Sequence, residues 1–589
     1  MLAVKHVAAK AMAKGEGGEM KRAVASPKMP PRAVAIAAAL LGAVASTDAP
    51  PARATALFDH FTYQAAATAT AAPGRYRNPV VPGFSPDPSL VRVGEDFYLV
   101  TSTFSWFPGL PIYHSRDLVN WRQIGNAIDR PAQAGFAGLG VNRGLFAPTI
   151  HHEGGRFYIL NTCIDCRGNF IISAERAEGP WSDPVWLPFG GIDPSLFVDR
   201  DGQAYIVYND APPGPPEYEG HRALWLHPFD LANQRLTGAP ILLVDKGVNP
   251  ADRPIWAEGP HIYFHRGRYY LIPAEGGTAD QHAQTVYAAD RVTGPYVPGP
   301  VNPILTQRDL PAGRPDRVEA TGHADLVQLA DGRWFALFLA TRPYRDQFTM
   351  LGRETYLLPV DWSGEWPVIL RRGQAMPPEL ATPMRGGRQR GFSTQWTEGF
   401  DRRLAPGALP GMQWLRLRGG DAAPWLQVTG GALQLRAQAA PGSLDIPAFA
   451  GVRLRHPAAD LATRVRLPAN ARNIRAGLLA VADEHHFLFF GPQLTDAGPA
   501  LVVRQRAAAS ESEHGRQVFA MPLDPRSLRV GVDLRLRVLG DRVQPEWRRA
   551  GGGAWQALGP AIAGDDLSSV RAGLFSGLVV GPHISPAGE

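Results

Sequence analysis

A chain of 589 residues with 45% apolar and 19% charged side chains has the composition of a globular protein but is too long for one ordinary core, so two folded domains plus tails are expected. The formal charge of +6 does not signal a nucleic-acid partner: residues 1–45 hold seven basic residues against Glu16 and Glu19, a balance of +5 that leaves about +1 for the rest. Beyond residue 45 the one lysine is Lys246, and there is neither a phosphate-binding Gly-rich loop with its lysine nor a GxGxxG after a strand, which counts against nucleotide and Schiff-base chemistry.

The first 45 residues have the plan of an export signal. "MKRAVASPKMPPR", from Met20, is a basic region, "AVAIAAALLGAVA" an apolar one, and Ala43-Val44-Ala45 fits the small-residue cleavage rule, which makes Met20 a candidate start. The apolar run is short and alanine-rich for a membrane span, so export to periplasm or medium is preferred over a retained N-terminal anchor. Residues 46–77 are rich in Ala, Thr and Pro, show no sustained periodicity, and read as a linker.

From Asn78 the chain is an all-β pattern of short alternating runs broken by Gly, Pro and Asp. One plan recurs five times: "DPSLVRVGEDFYLVTST" from Asp87, "APTIHHEGGRFYILNT" from Ala147, "DPSLFVDRDGQAYIVYND" from Asp193, "GPHIYFHRGRYYLIPAEGG" from Gly259 and "GHADLVQLADGRWFALFLAT" from Gly322. Each has a small or polar start, a short strand, a Gly- or Asp-containing turn and an aromatic-rich strand, which is a β-hairpin. Copies 46 to 66 residues apart leave room for four strands each and predict a five-bladed β-propeller over residues 78–390, with a large sandwich as the alternative. In a propeller the inner-strand starts gather at one mouth of the channel. Here they carry Asp87, Ala147, Asp193, Glu258 and His323, bringing three carboxylates and an imidazole together.

"CIDC", Cys163 to Cys166, holds both cysteines; no second pair completes a zinc site, no βαβ context supports a redox motif, and a local structural disulfide is expected. From Thr394, runs such as "GALQLRAQ" and "LRVGVDLRLRVLG" alternate apolar and polar residues and predict a β-sandwich over residues 394–589.

Crowded buried carboxylates titrate apart, so one can stay protonated as an acid while another remains a base. Cleavage of a glycosidic bond requires that division of labour. Aromatics in "STFSWFPG", namely Phe104, Trp106 and Phe107, offer flat faces for sugar rings as readily as core packing.

"NPVVPGFSPDPSLVRVGEDFYLVTSTFSWFPGLPIYHSRDLVNW", "DPSLF", "WAEGPHIY", "AEGGT", "TGHADLV" and "LGRETYLLPVDW" fall in order and resemble glycoside hydrolase family 43, in the branch of β-xylosidases and α-L-arabinofuranosidases with a C-terminal lectin-like sandwich. The resemblance implies a five-bladed propeller and inversion at the anomeric carbon. It assigns Asp87 as general base, Glu258 as general acid, and Asp193 to orient that acid and tune its pKa. It implies that Phe104 lines the pocket, that His323 lies at its floor, often near an ion or water, and that Arg353 contacts the sugar. Trp106 and Phe146 complete the expected sugar-binding set, Phe146 standing where relatives usually carry Trp. Relatives usually continue into a last strand of the Ala-Asp-Phe-Asp type, whose loss would expose a sheet edge.

The expected activity is release of xylose from the non-reducing ends of β-1,4-xylo-oligosaccharides. An α-L-arabinofuranosidase or an enzyme with both activities is the nearest alternative. A retaining enzyme on fructosides and a non-catalytic sugar-binding propeller stand further off. No organic or redox cofactor is implied; a structural Ca²⁺ near His323 is left open, although no oxygen-rich ligand cluster is legible in the sequence.

Overall fold

The computed structural model describes residues 55–66, 71–384, 386–419, 422–573 and 575–588. The expected export signal and its cleavage site lie outside the described residues. Among the described residues no helix is long and apolar enough to cross a membrane.

Each of the five sequence repeats forms an antiparallel hairpin: Ser89–Val93 with Asp96–Val100, Thr149–Glu153 with Arg156–Ile164, Ile192–Val198 with Ala204–Asp210, Glu258–His265 with Arg268–Glu275, and Glu319–Gln328 with Trp334–Thr341. Outer strands extend the hairpins into five separate sheets, the blades of a propeller. In the second blade, Gly154 and Gly155 at φ 56° and 78° supply the doubly left-handed turn that a two-residue hairpin loop needs.

The recurring Asp-Pro-Ser has a physical reason. In the first three repeats the third residue of the start hydrogen-bonds to a neighbouring blade. Ser89 Oγ donates to Asp325 Oδ2 (2.7 Å) and accepts the Ile150 N–H (3.0 Å), tying the first blade to the fifth and second. Thr149 Oγ1 donates to the Pro194 carbonyl and Ser195 Oγ to the Pro260 carbonyl, both at 2.8 Å, linking second to third and third to fourth. His261 Nδ1 stands 3.6 Å from Asp325 Oδ1, and Tyr263, two residues on, donates its hydroxyl to the same oxygen at 2.6 Å, which completes the ring. At the rim, Val81 and Thr355 exchange backbone hydrogen bonds, and the Asn78 side chain bonds both backbone groups of Leu357 at 2.8 Å. The start of the propeller is thereby sewn to its last blade.

Two nine-stranded sheets make the second domain. Here the linker reading is corrected. Thr55–Ala65 is an eleven-residue strand of this sandwich, paired with Leu433–Arg436, Ala458–Arg466 and Gln395–Glu398. Its core-facing residues are Ala56, Phe58, Phe61 and Tyr63. A register shift between Phe58 and Phe61 interrupts the two-residue period and returns Phe61 to the buried face, so simple alternation does not reveal the strand. The Ala-rich stretch around it carries the linker composition; the strand itself does not. Thr55–Ala65 lies between hydrogen-bonded partners on both sides. Val579–Pro586, in the other sheet, is paired on both sides.

The domains share backbone. Trp106–Phe107, from the first blade, pairs with Trp414–Leu417 of the sandwich. This corrects Trp106 as a sugar-binding residue: it is 0% exposed and packs 6.0 Å from Phe449, where it plugs the interface instead of facing the pocket.

Phe61 sits edge-on to Trp414 at 5.1 Å in the sandwich core. Phe61→Ala is expected to lower the unfolding free energy of the full chain by about 3–5 kcal/mol, read by urea denaturation. A loss no larger than that of Gln64→Ala, exposed on the same strand, would show that the strand is not integral to the sheet.

Candidate active site

Left-handed backbone aims the site. Asp87, Asp193, Gly259 and His323 have φ of 50°, 56°, 56° and 52°. The strands that carry Asp193, Glu258 and His323 also break register at these points, between Ile192 and Ser195, Glu258 and His261, and Gly322 and Asp325. An irregularity at a strand start re-aims a side chain that regular pleating would send into the blade. Gly259 is required for space as well, since a Cβ there would stand 2.8 Å from the His323 ring.

The result is a buried cluster at one mouth of the channel. Asp87, Asp193, Glu258, Phe104, Phe146, His323, Arg353 and Thr278 line one cleft, together with Phe575 from the sandwich. Asp87 accepts from Ser102 Oγ at 2.6 Å, and its other oxygen lies 3.5 Å from Arg353 Nη1 and 3.9 Å from His323 Nδ1. Arg353 also donates to the Thr278 carbonyl at 3.3 Å. Asp193 accepts the N–H of Gly259 at 3.2 Å and so grips the backbone beside the acid.

Burial pushes the Glu258 carboxyl up to about 7, against the attraction of Arg353 and with the repulsion of Asp87. Asp193 is also raised well above the usual carboxylate range, by burial and by the negative charge of Glu258 and then Asp87. Arg353, with Arg222 acting more weakly on Glu258, does not hold all three carboxyls ionised, so the site retains a proton near neutrality. Burial lowers the His323 imidazole to about 4 despite Asp87, leaving it neutral at physiological pH.

A cavity of about 220 Å³ adjoins Glu258, lined by Phe146, Ile192 and Trp256 with Arg143, Ile164, Asn209, Asp210 and Arg222. Of the residues expected from sequence, Phe104 and Phe146 meet edge-on at 5.6 Å in the shared wall. Phe575 was not legible. It lies 5.5 Å from Phe104 and 5.8 Å from Phe146, with the Arg353 guanidinium 4.8 Å over its ring. The loop carrying it is held by the N–H groups of Ser569 and Leu578, which donate to the carbonyls of Thr349 and Met350. A Cβ at Gly352 (φ 71°) would come within 2.5 Å of Gly577 N, which explains the glycine of "LGRET".

The surroundings of His323 do not suit Ca²⁺. That ion takes six to eight oxygens; the nearest carboxylate oxygen here, on Asp87, already faces Arg353, and among the described residues no group of three acidic, His or Cys side chains is placed to hold a metal.

Paired carboxyls, one holding its proton near neutrality, are what hydrolysis of a glycosidic bond demands. Residues 76–367 match the family model of glycosyl hydrolases family 43, and residues 407–586 that of the beta xylosidase C-terminal Concanavalin A-like domain. A crystal structure of a GH43_12 protein retrieved from a capybara gut metagenome superposes with a TM-score of 0.82 at 32% identity, covering 90% of this chain and 100% of that one. A "Xylosidase/arabinosidase" of Butyrivibrio fibrisolvens is 43% identical over 295 residues, 50% of this chain and 56% of that protein. A "Non-reducing end alpha-L-arabinofuranosidase" of Bacteroides ovatus is 40% identical over 304 residues, 51% of this chain and 54% of that protein. The chain thus spans little more than half the length of these two curated relatives. It belongs to glycosyl hydrolase family 43.

The folded state keeps the Glu258 proton to about pH 7, whereas an unfolded glutamate releases it near 4.5. Between those values the folded state binds more protons, so this group's contribution to stability falls as pH rises through the window. Glu258→Gln cannot ionise and is expected to exceed wild type by about 1–3 kcal/mol near pH 8 and by much less near pH 4. Denaturation at both pH values reads it; a pH-independent difference would contradict the raised pKa.

Proposed function

We propose that the protein is an exo-acting glycoside hydrolase that releases xylose from the non-reducing ends of β-1,4-xylo-oligosaccharides with inversion. The observation that carries this reading is a glutamic acid held protonated to about pH 7 in a buried pocket that also contains an aspartate fixed by Ser102 and Arg353.

In this mechanism Glu258 donates its proton to the leaving oxygen as the glycosidic bond breaks. Asp87 removes a proton from a water attacking the opposite face of the sugar, while Ser102 and Arg353 keep its carboxylate oriented. Asp193 positions the acid through the Gly259 N–H, and the negative charge of Asp87 opposes ionisation of Glu258. Arg353 balances the negative charge of the cluster and, with Phe104 and Phe575, shapes the sugar site. His323, neutral, packs against Gly259 and Asp87 at the floor. The sugar site takes one wall, Phe575, from the second domain, which supports attack at chain ends. The larger cavity beside Glu258 would receive the leaving group.

An α-L-arabinofuranosidase, or an enzyme with both activities, is the second reading, favoured by the names of the two curated relatives above. Both readings use the same acid and base. A non-catalytic sugar binder has no need of a protonated acid beside a fixed aspartate. We further propose that the protein is exported, a reading supported by the basic and apolar N-terminal pattern and by the Cys163–Cys166 disulfide.

Hydrolysis of nitrophenyl β-D-xylopyranoside is expected to exceed that of nitrophenyl α-L-arabinofuranoside, with the inverted sugar as the first-formed anomer by proton NMR. The reverse preference would favour the second reading, and first-formed product of retained configuration would overturn the roles given to Asp87. On xylobiose, Glu258→Gln is expected to lower kcat about 10²–10⁴-fold. The wild-type rate should fall above about pH 7, as the acid loses its proton.

A further inference from the structure

The disulfide has no part in the chemistry above, yet it lies at the edge of the leaving-group cavity. Cys163 and Cys166 are bonded across the turn that joins Arg156–Ile164 to Gly168–Ala174. Between them stand Ile164, which lines the cavity beside Glu258, and Asp165, left-handed at φ 59°. Asp165 accepts from Arg143 Nε, and Arg143 lines the same cavity with its guanidinium 5.9 Å over the Phe146 ring. From the Cys163 end the connection runs inward: Cys163 pairs with Leu145, and Leu145 exchanges backbone hydrogen bonds with Phe104. Phe146 N–H donates to the Thr162 carbonyl. The bonded turn therefore carries one cavity residue directly and holds a second through an ion pair. Cys163 is buried, whereas Cys166 is half-buried and Asp165 exposed.

We propose that the Cys163–Cys166 bond is a positioning element for the leaving-group subsite: it fixes Ile164 and the Asp165–Arg143 clamp as the wall that receives the second sugar. The proposal rests on the glycosidase reading and on assigning the larger cavity to the leaving group. A four-residue turn free of the cross-link has more conformations to lose when a sugar docks against it. Opening the bond should weaken recognition of the leaving sugar and spare the site that holds the sugar being released.

The test compares xylobiose with β-D-xylopyranosyl fluoride, whose leaving group is a single atom that makes no use of the wall. Three proteins are compared with wild type: the enzyme reduced by dithiothreitol, which turns the bond into two thiols as the reagent becomes its cyclic disulfide; Cys166→Ser; and Asp165→Asn, which keeps the bond and removes the clamp's charge. The expected result is a KM for xylobiose raised roughly tenfold, with kcat/KM for the fluoride changed by less than about twofold. Equal losses on both substrates, or none on either, would overturn the proposal. Wild-type turnover of the fluoride tests the glycosidase reading by itself. The wall is also read without turnover, as the affinity of Glu258→Gln for xylobiose relative to xylose: that ratio should fall on reduction, and an unchanged ratio would overturn the proposal.

Discussion

A ring of hydrogen bonds around the propeller axis underlies the rest of the molecule. Ser89, Thr149 and Ser195, the third residues of the Asp-Pro-Ser and Ala-Pro-Thr starts, each bond to a neighbouring blade, and Asp325 closes the ring with Ser89 and Tyr263. These groups are buried or, for Tyr263, partly buried, where an unpaired polar atom is costly, so each blade can be placed only where its neighbour satisfies it. The residue two positions before Ser89 and Ser195 is an aspartate. Once the ring sets the blades, Asp87 and Asp193 face one mouth. The recurring triplet is one device with two uses, a serine for assembly and an aspartate for the site.

Crowding follows from that geometry. Three carboxyls share a pocket with one buried guanidinium, and the electrostatic conflict is resolved by retained protons. The second domain sharpens the effect by excluding water: Phe575 covers Arg353, and its loop is bound to the backbone of Thr349 and Met350. Propeller and sandwich form one structural unit at this point. The first blade lends a strand to one sandwich sheet, and the segment before the propeller lends Thr55–Ala65 to the other.

Much of this was legible in the chain. The five hairpins were visible because each joins a polar or small start to an aromatic-rich strand across a turn, a local pattern. Asp87, Asp193 and Glu258 were recognisable because carboxylates recur at equivalent starts within ordered motifs. Trp106 misled, because its position in an aromatic cluster next to an inner hairpin is the same whether the ring faces a sugar or a second domain. Thr55–Ala65 left no such trace, because the bulge at Asp59 and His60 breaks the alternation and the strand's partners lie hundreds of residues away.

By itself the sequence determined the all-β architecture, the number of blades and the identity of the acidic trio, since these depend on local periodicity and on residues that repeat in register. Only the tertiary structure decided that Phe575 walls the pocket, that Trp106 does not, that Ile164 and Arg143 border the adjoining cavity, and that the sandwich takes a strand from before the propeller. Those facts rest on contacts between segments far apart in the chain, which are fixed by the packing of whole sheets and leave no periodic trace in either segment alone.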